Sequence, residues 1–454
     1  MRRIGFMLAR IARPRHLDDV TLAEPVDLTI QIKELVRPYL RWGYYQIFPG
    51  RRPNYFTDCW RFPTFTPEEA VTKLLQPMLT APAENPAVLF LPMVDWHARI
   101  QRSHHLARAF AALGHPCLYV DPHLGCEYLL PYLFERESRI SLLEPGVQEL
   151  HVHLPTEHVY HRRLLRAGEN GRVSQALRQT LGGAQRAGIV QIVSFPIWLD
   201  VALDLRNRYE FPIVYDCHDF LAGFNNVSRD IVAREQAMFE RADLIAFSGR
   251  HLMDTTLAAH PSARGKSTLV RNAVNDSDFT GLPVKPRTEE RVVGYAGALD
   301  HWFDVAALET AAGKYPAWKF LLIGRIEDER VRSLAKFPNV EFSGEIPYSK
   351  LPEYLALFDV GLIPFLSNEL TRAADPIKLY EYFSRGLPVV SSRLPEVERY
   401  GDLVYFADGP EDFAAALGKA MEEDDAGLRE RRKEVARRES WTHRAQELLA
   451  APRT

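Results

Sequence analysis

The chain has 454 residues, 46% of them apolar and 25% charged, with a formal net charge of −3. That length exceeds what one hydrophobic core usually serves, so two domains are expected, and the near-balanced charge excludes a general nucleic-acid binder, which needs a cationic excess. The cysteines Cys59, Cys117, Cys126 and Cys217 form no CxxC pair, as expected of reduced thiols in a cytosol, and no apolar run approaches the roughly 18 to 20 residues that span a bilayer.

The N-terminal stretch MRRIGFMLARIARPRH is cut by Arg10 and Arg13 and reads as a poor signal peptide. Residues 1–86 are rich in Arg, Pro and aromatics and show no sustained period, so an irregular packed extension is expected there. The competing reading is a membrane-surface or partner-docking element. Five arginines and no acid in the first fifteen residues would attract anionic lipid.

From Ala87 the pattern changes. AVLFLPM is a continuous apolar run, as in a strand buried on both faces. IQRSHHLARAFAALG has the helical period and closes at Gly114, and PCLYVDP is a second strand. ELHVHLP, IVQIVSF, PIVYDCHDF, ADLIAFSG and STLVRN follow, with helical stretches such as RDIVAREQAMFERA between several of them. This alternation predicts a parallel, doubly wound α/β domain over 87–280. The polar, proline-containing DSDFTGLPVKPRTEERV reads as a linker.

A second α/β series then fills 281–430, with strands in RVVGYAGAL, WKFLLIG, NVEFSG, DVGLIPF, LPVVSS and LVYFA. Residues 431–454 read as a charged terminal helix. There is no GxGxxG after a first strand, no GxxxxGK[ST], no HExxH and no GxSxG, so dinucleotide, P-loop, metalloprotease and serine-hydrolase readings are weak. In doubly wound domains the ligand lies at the carboxyl ends of the strands, where helix N-termini offer free N–H groups.

Within the second series, DPIKLYEYFSRGLPVVSS (375–392) reads as a short helix and a buried strand. Asp375 suits an N-cap, Pro376 the first helical position, and Gly386 the residue past the last turn. Leu379 and Phe383 point at the sheet, while Lys378 and Glu381, three apart, share another face. A lysine in a first turn opposes the helix dipole, unless an anion sits there too. Glu381, one turn on, then suits a pair of ribose hydroxyls. A solvated ion pair is the other reading of the same spacing.

In the first domain, VYDCHDF puts His218 at a strand end, with Asp216 and Asp219 as capping residues. WHARIQRSHH supplies Trp96 as a stacking face and Arg99, Gln101 and Arg102 as donors, a set suited to a sugar or phosphate-bearing acceptor. His104 and His105 lack metal-spaced partners and read as structural.

In order along residues 87–450, QRSHHLARAFAALGHPCLYVDP, VYDCHDFLAGF, ERADLIAFSGRHL, VRNAVNDSDF, GYAGALDHWFD, FLLIGRIED, FPNVEFSGEIPYSKLPEYLALFDVGLIPF and DPIKLYEYFSRGLPVVSS resemble a glycosyltransferase of the GT-B fold. The pattern is closest to retaining family 4 of bacterial cell-surface polysaccharide synthesis. The resemblance implies two Rossmann-like domains facing each other across a cleft. It implies transfer of a sugar from a nucleotide-diphosphate sugar to a glycan, lipid-linked or other acceptor, with retention and without an essential metal.

Glu381 matches the second glutamate of the family's E-x7-E motif, which holds the ribose. The first falls at Ala373, a departure for which Asp375 is the nearby substitute carboxylate. The family's usual Arg and Lys after the first strand of this domain are missing from GYAGALDHWFD, which leaves Lys378, then Arg325, for the diphosphate. Gly297 and Ile346 fall against the nucleotide. His218, Lys378 and Asp375 are the candidate catalytic groups. No cofactor beyond the co-substrate, no metal ligand set and no nucleic acid are implied. The expected place is the cytoplasm, with peripheral contact at the inner membrane face through the N-terminal extension. A sugar-nucleotide epimerase of the same fold and a non-catalytic nucleotide-sugar-binding subunit stay open as alternatives.

Overall fold

The structure, a computed structural model, describes residues 28–49 and 61–451 apart from 98, 126, 127, 129, 157, 186, 187, 280 and 282–289. The arginines of the first fifteen residues and most of the expected linker lie outside the described residues.

The first domain holds β1 (Thr64–Phe65), β2 (Ala87–Leu91), β3 (Cys117–Val120), β4 (Arg139–Glu144), β5 (Val147–His151), β6 (Ile189–Val193), β7 (Ile213–Cys217), β8 (Leu244–Phe247) and β9 (Ser267–Leu269). They form one sheet in the order β1-β4-β5-β3-β2-β6-β7-β8-β9. Strands from β5 to β9 pair in parallel, while β1 and β4 close one edge antiparallel. Every residue of β2, β3, β5, β6, β7 and β8 is buried, which is why β2, β3 and β8 read as unbroken apolar runs rather than alternations.

The second domain holds β10 (Val292–Ala296), β11 (Lys319–Ile323), β12 (Val340–Gly344), β13 (Val360–Ile363), β14 (Val389–Ser392) and β15 (Val404–Ala407). Their order, β12-β11-β10-β13-β14-β15, is wholly parallel. In chain order this is 3-2-1-4-5-6, the doubly wound arrangement, with its switch point between β10 and β13.

The expectation of an irregular extension is corrected. Residues Leu28–Ile47 form a 20-residue helix, and β1 adds to the first sheet by pairing with β4. The helix was hidden from sequence by Pro38 in its middle. Glu34 anchors it, accepting from Arg163 at 3.0 Å and Arg166 at 2.8 Å. The capped helix Pro67–Lys73 follows, started by a reciprocal Thr66–Glu69 capping box.

At the other end the chain forms two helices, Ala426–Arg438 and Trp441–Ala450. The first packs on the helix Ile377–Ser384 of the second domain. The second crosses to the first domain, where Trp441 stacks on His105 with ring centroids 5.0 Å apart. Trp441, Ala445 and Leu448 join the apolar layer under β2 and β3.

Candidate functional site

The helix Ile377–Ser384 follows β13 and stands at the carboxyl edge of the second sheet. Leu379, Tyr380, Tyr382 and Phe383 are fully buried, so the helix is fixed from beneath. Gly386 ends it with φ +69, a conformation that favours glycine. Lys378 and Glu381 lie on the other flank. Lys378 Nζ sits 4.8 Å from the centre of the Phe365 ring and 5.2 Å from that of Tyr295, held by two aromatic faces.

Gly297, just past β10, makes room for it: a Cβ there would lie 3.1 Å from Nζ. Its φ of +150 favours glycine, and its N–H donates to the Ile323 carbonyl. Burial lowers Lys378 from 10.5 to about 8, with Glu381 opposing. Burial raises Glu381 to about 7, while Tyr348 and Lys378 pull the other way. Two groups are thus kept where charge is penalised, and that penalty is relieved only by a partner of matching charge or hydrogen bonds.

Asp375 does something else than expected. It is neither the N-cap, a place taken by Pro376, nor exposed to a ligand. Its buried carboxylate accepts the Asn272 N–H at 2.7 Å and the Tyr380 hydroxyl at 2.8 Å, while the Asn272 side chain donates to the Asp375 carbonyl at 2.6 Å. Burial raises it to about 6, with Glu396 adding to the rise. Asn272 lies after β9 in the first domain, so Asp375 joins the two domains and is not a catalytic candidate.

The same chain of contacts claims Arg102. Its guanidinium lies 2% exposed, pairs with Asp216 at 2.9 Å and donates to Asn272 Oδ1 at 3.0 Å. Arg102 is therefore an internal brace and not an acceptor ligand. Trp96 is also corrected. It is buried against Tyr119 and His104, with Arg108 over its ring, and offers no stacking face.

Gln101 caps the helix Arg102–Ala112, its N–H donating to His104 Nδ1. Arg99 crosses the cleft, pairing with Glu345 at 2.7 Å and Glu327 at 3.3 Å. Arg325 is 64% exposed and shares Glu327 at 3.2 Å. Ile346 is half-buried on the second core, beside Glu345. These contacts bring the loops after β2, β11 and β12 together, so the carboxyl ends of the two sheets face each other.

His218 stands at the end of β7 and is mostly covered, with Nδ1 3.0 Å from the Asp216 carbonyl and Nε2 3.5 Å from Asp219. Burial raises Asp219, and His218 counters it. The short turn that follows, Leu221–Gly223, meets the second domain: a Cβ on Gly223 would lie 2.7 Å from Leu370 Cβ. Ala373, where the motif glutamate was expected, is 3% exposed and packs into the core of the first domain. A glutamate there would bury a charge in an apolar contact.

Two features escaped the sequence reading. Glu396 caps the helix Arg250–Ala259 across the domains, accepting from the Arg250 N–H and, at 2.8 Å, from Arg271. In the first domain, Asp121, Glu149 and His151 each bring a ligating atom within 4.8 Å of the others. The expectation of no metal ligand set rested on linear spacing, and here Asp121, just past β3, meets Glu149 and His151 of the neighbouring β5. Only the E-x-H alternation of β5 foreshadowed them.

Residues 290–423 match the model of the family "Glycosyl transferases group 1". Over 80% of its length the chain superposes on 97% of sucrose-phosphate synthase from Thermosynechococcus elongatus, at a TM-score of 0.60 and 16% identity. The fold is GT-B. Trehalose-6-phosphate synthase OtsA shares it at a TM-score of 0.61 and 12% identity, over 80% of this chain and 98% of that one. Anabaena HepE, solved in complex with UDP and glucose, shares it at 0.56 and 13%, over 80% and 98%. In sequence, the GT-B chain is 27% identical over 252 residues to the putative teichuronic acid biosynthesis glycosyltransferase TuaH of Bacillus subtilis (strain 168). That match covers 50% of this chain and 64% of TuaH.

Proposed function

We propose that this protein is a glycosyltransferase that takes its sugar from a nucleotide-diphosphate sugar, retains anomeric configuration and needs no metal at the diphosphate. One observation carries the reading. Lys378, without a hydrogen-bond or ion-pair partner among the described residues, is held by two aromatic rings above the side-chain-free Gly297 and one helical turn from Glu381.

Glycosyl transfer builds negative charge on the departing diphosphate. A cation fixed beforehand in a partly desolvated site stabilises that charge without reorganising. Glu381 accepts the ribose hydroxyls, which fixes the nucleotide along the same helix. His218 faces the cleft from the first domain and positions a sugar hydroxyl through the ring nitrogen not turned to the Asp216 carbonyl. In retention on one face, the leaving phosphate oxygen itself takes the acceptor proton, so no separate base is required.

The test is a thermal-shift screen of UDP, GDP, ADP and dTDP sugars, followed by transfer with the donor found, with and without EDTA. The anomeric configuration of the product is then read by NMR. Ligand at about 100 times its Kd adds about 2.7 kcal/mol of stability, a shift easily read. Inversion at the anomeric carbon overturns retention, and loss of transfer in EDTA that magnesium or manganese, but not zinc, restores overturns metal independence at the diphosphate. Interconversion of the donor without acceptor makes the protein an epimerase. Binding without turnover on any acceptor makes it a binding subunit.

The proposed place of work is the cytoplasmic face of an anionic membrane. Among the described residues no helix is long and apolar enough to cross a membrane. Ten of the eleven exposed large hydrophobic residues described nevertheless gather in one region. On the helix Leu28–Ile47 and just past it, Leu40 and Ile47 are the most exposed, at 69% and 71%. Leu133 and Phe134 lie beside them, Phe134 touching Trp42. The helix carries Lys33, Arg37 and Arg41, and its one acid, Glu34, is turned inward to arginines. An apolar face with a basic rim suits an anionic lipid surface. Cosedimentation with phosphatidylglycerol vesicles tests it, with loss expected for Leu40→Asp/Ile47→Asp. Equal binding of that variant, or equal binding to neutral vesicles, refutes it.

A further inference from the structure

The parallel register of β3 and β5 sets Tyr119 opposite Glu149 and Val120 opposite Leu150, so Asp121 lines up with His151. Side chains alternate faces along a strand, so Asp121, Glu149 and His151 share one face. We propose that these three residues bind a divalent transition-metal cation of the zinc class.

Each is steadied from outside the cluster. Asp121 Oδ1 accepts the His123 N–H at 2.8 Å, Glu149 Oε2 lies 2.8 Å from His97 Nε2, and His151 Nε2 lies 3.0 Å from the buried Ser141 hydroxyl. These are the outer contacts that orient ligands in metal sites. They turn Asp121 Oδ2 and His151 Nδ1 to face each other at 3.4 Å. Two atoms bound to one tetrahedral zinc, each about 2.0–2.1 Å from it, sit at such a separation.

The third residue adds the independent observation. Glu149 Oε1 is buried, its side chain 0% exposed, and it has no hydrogen-bond partner among the described residues. Asp121 and Glu149 are both completely buried carboxylates. His97 and His151 both approach Glu149 Oε2, at 2.8 and 3.3 Å, and His151 Nδ1 approaches Asp121, so imidazolium would offset part of this charge; one divalent cation offsets both carboxylates while leaving His151 neutral, as a ligand must be. Mixed imidazole and carboxylate donors suit zinc better than magnesium, which favours oxygen ligands and keeps its water. The cluster belongs to the first domain, apart from the Lys378 helix, so this inference stands whether or not the proposed transfer does.

The test uses the full chain, stripped with EDTA and titrated with ZnCl2 by calorimetry, with bound metal counted after gel filtration. Wild type should hold one equivalent. Glu149→Gln and Asp121→Asn should each weaken binding by about tenfold or more with an unchanged circular dichroism spectrum. Zinc should also raise the melting temperature of wild type where equimolar magnesium does not, a result independent of how the variants fold. Absence of stoichiometric zinc in wild type, or identical binding in both variants, overturns the proposal.

Discussion

Replacing Lys378 by alanine separates catalysis from stability. Burial lowers the lysine from 10.5 to about 8, which corresponds to a penalty on the ammonium of about 3 kcal/mol. Its two aromatic contacts return about 1 to 2 kcal/mol each in a desolvated setting. The terms nearly cancel, so Lys378→Ala should melt within a few degrees of wild type. Transition-state stabilisation is a different matter: one fixed donor to a developing oxyanion contributes about 3 to 4 kcal/mol, or roughly 100- to 1,000-fold in kcat. The assay is release of nucleoside diphosphate with the donor found by thermal shift, run beside a melting curve. A kcat loss under about threefold at unchanged melting temperature refutes the phosphate role. A large stability loss refutes the bookkeeping on the buried ammonium.

Donor affinity should fall as pH rises through about 8, because the diphosphate requires the protonated lysine. In Lys378→Arg any residual affinity should lose that dependence, as titration calorimetry between pH 7 and 9.5 would reveal. Asp375→Ala leaves the Asn272 N–H and the Tyr380 hydroxyl buried without an acceptor. It should cost about 3 kcal/mol in denaturant unfolding, at about 1 to 3 kcal/mol per orphaned group. A neutral result would break the interdomain chain. Trp96→Ala should destabilise by about 3 to 5 kcal/mol and leave the acceptor KM of folded enzyme unchanged. A raised KM at full stability would return the ring to the acceptor site.

The fold was legible because buried parallel strands announce themselves as apolar runs between amphipathic helices, and both doubly wound series read that way. Lys378 and Glu381 were legible for a local reason, a cation and an acid on one helical edge with Gly386 closing the helix. Asp375, Arg102 and Trp96 were misassigned because their fate is decided by partners far along the chain. Sequence displays a carboxylate, a guanidinium and an indole, and those types serve ligand binding and internal bracing equally well. Asn272, 103 positions before Asp375, is what chose between them. Ala373 looked like a missing function until the apolar contact that surrounds it was in view. The Asp121–Glu149–His151 convergence depends on strand register, which no local pattern supplies.

The backbone crosses between the domains once after β9 and once again before Trp441, and these two passages touch. The Val274 N–H donates to the Glu439 carbonyl at 3.0 Å, and Val274 bridges Ser440 in parallel. Both crossings therefore share a single seam, an arrangement that favours rotation of the halves about that seam over sliding of one past the other. Capture of a donor on one half and an acceptor on the facing half then becomes chiefly a question of angle.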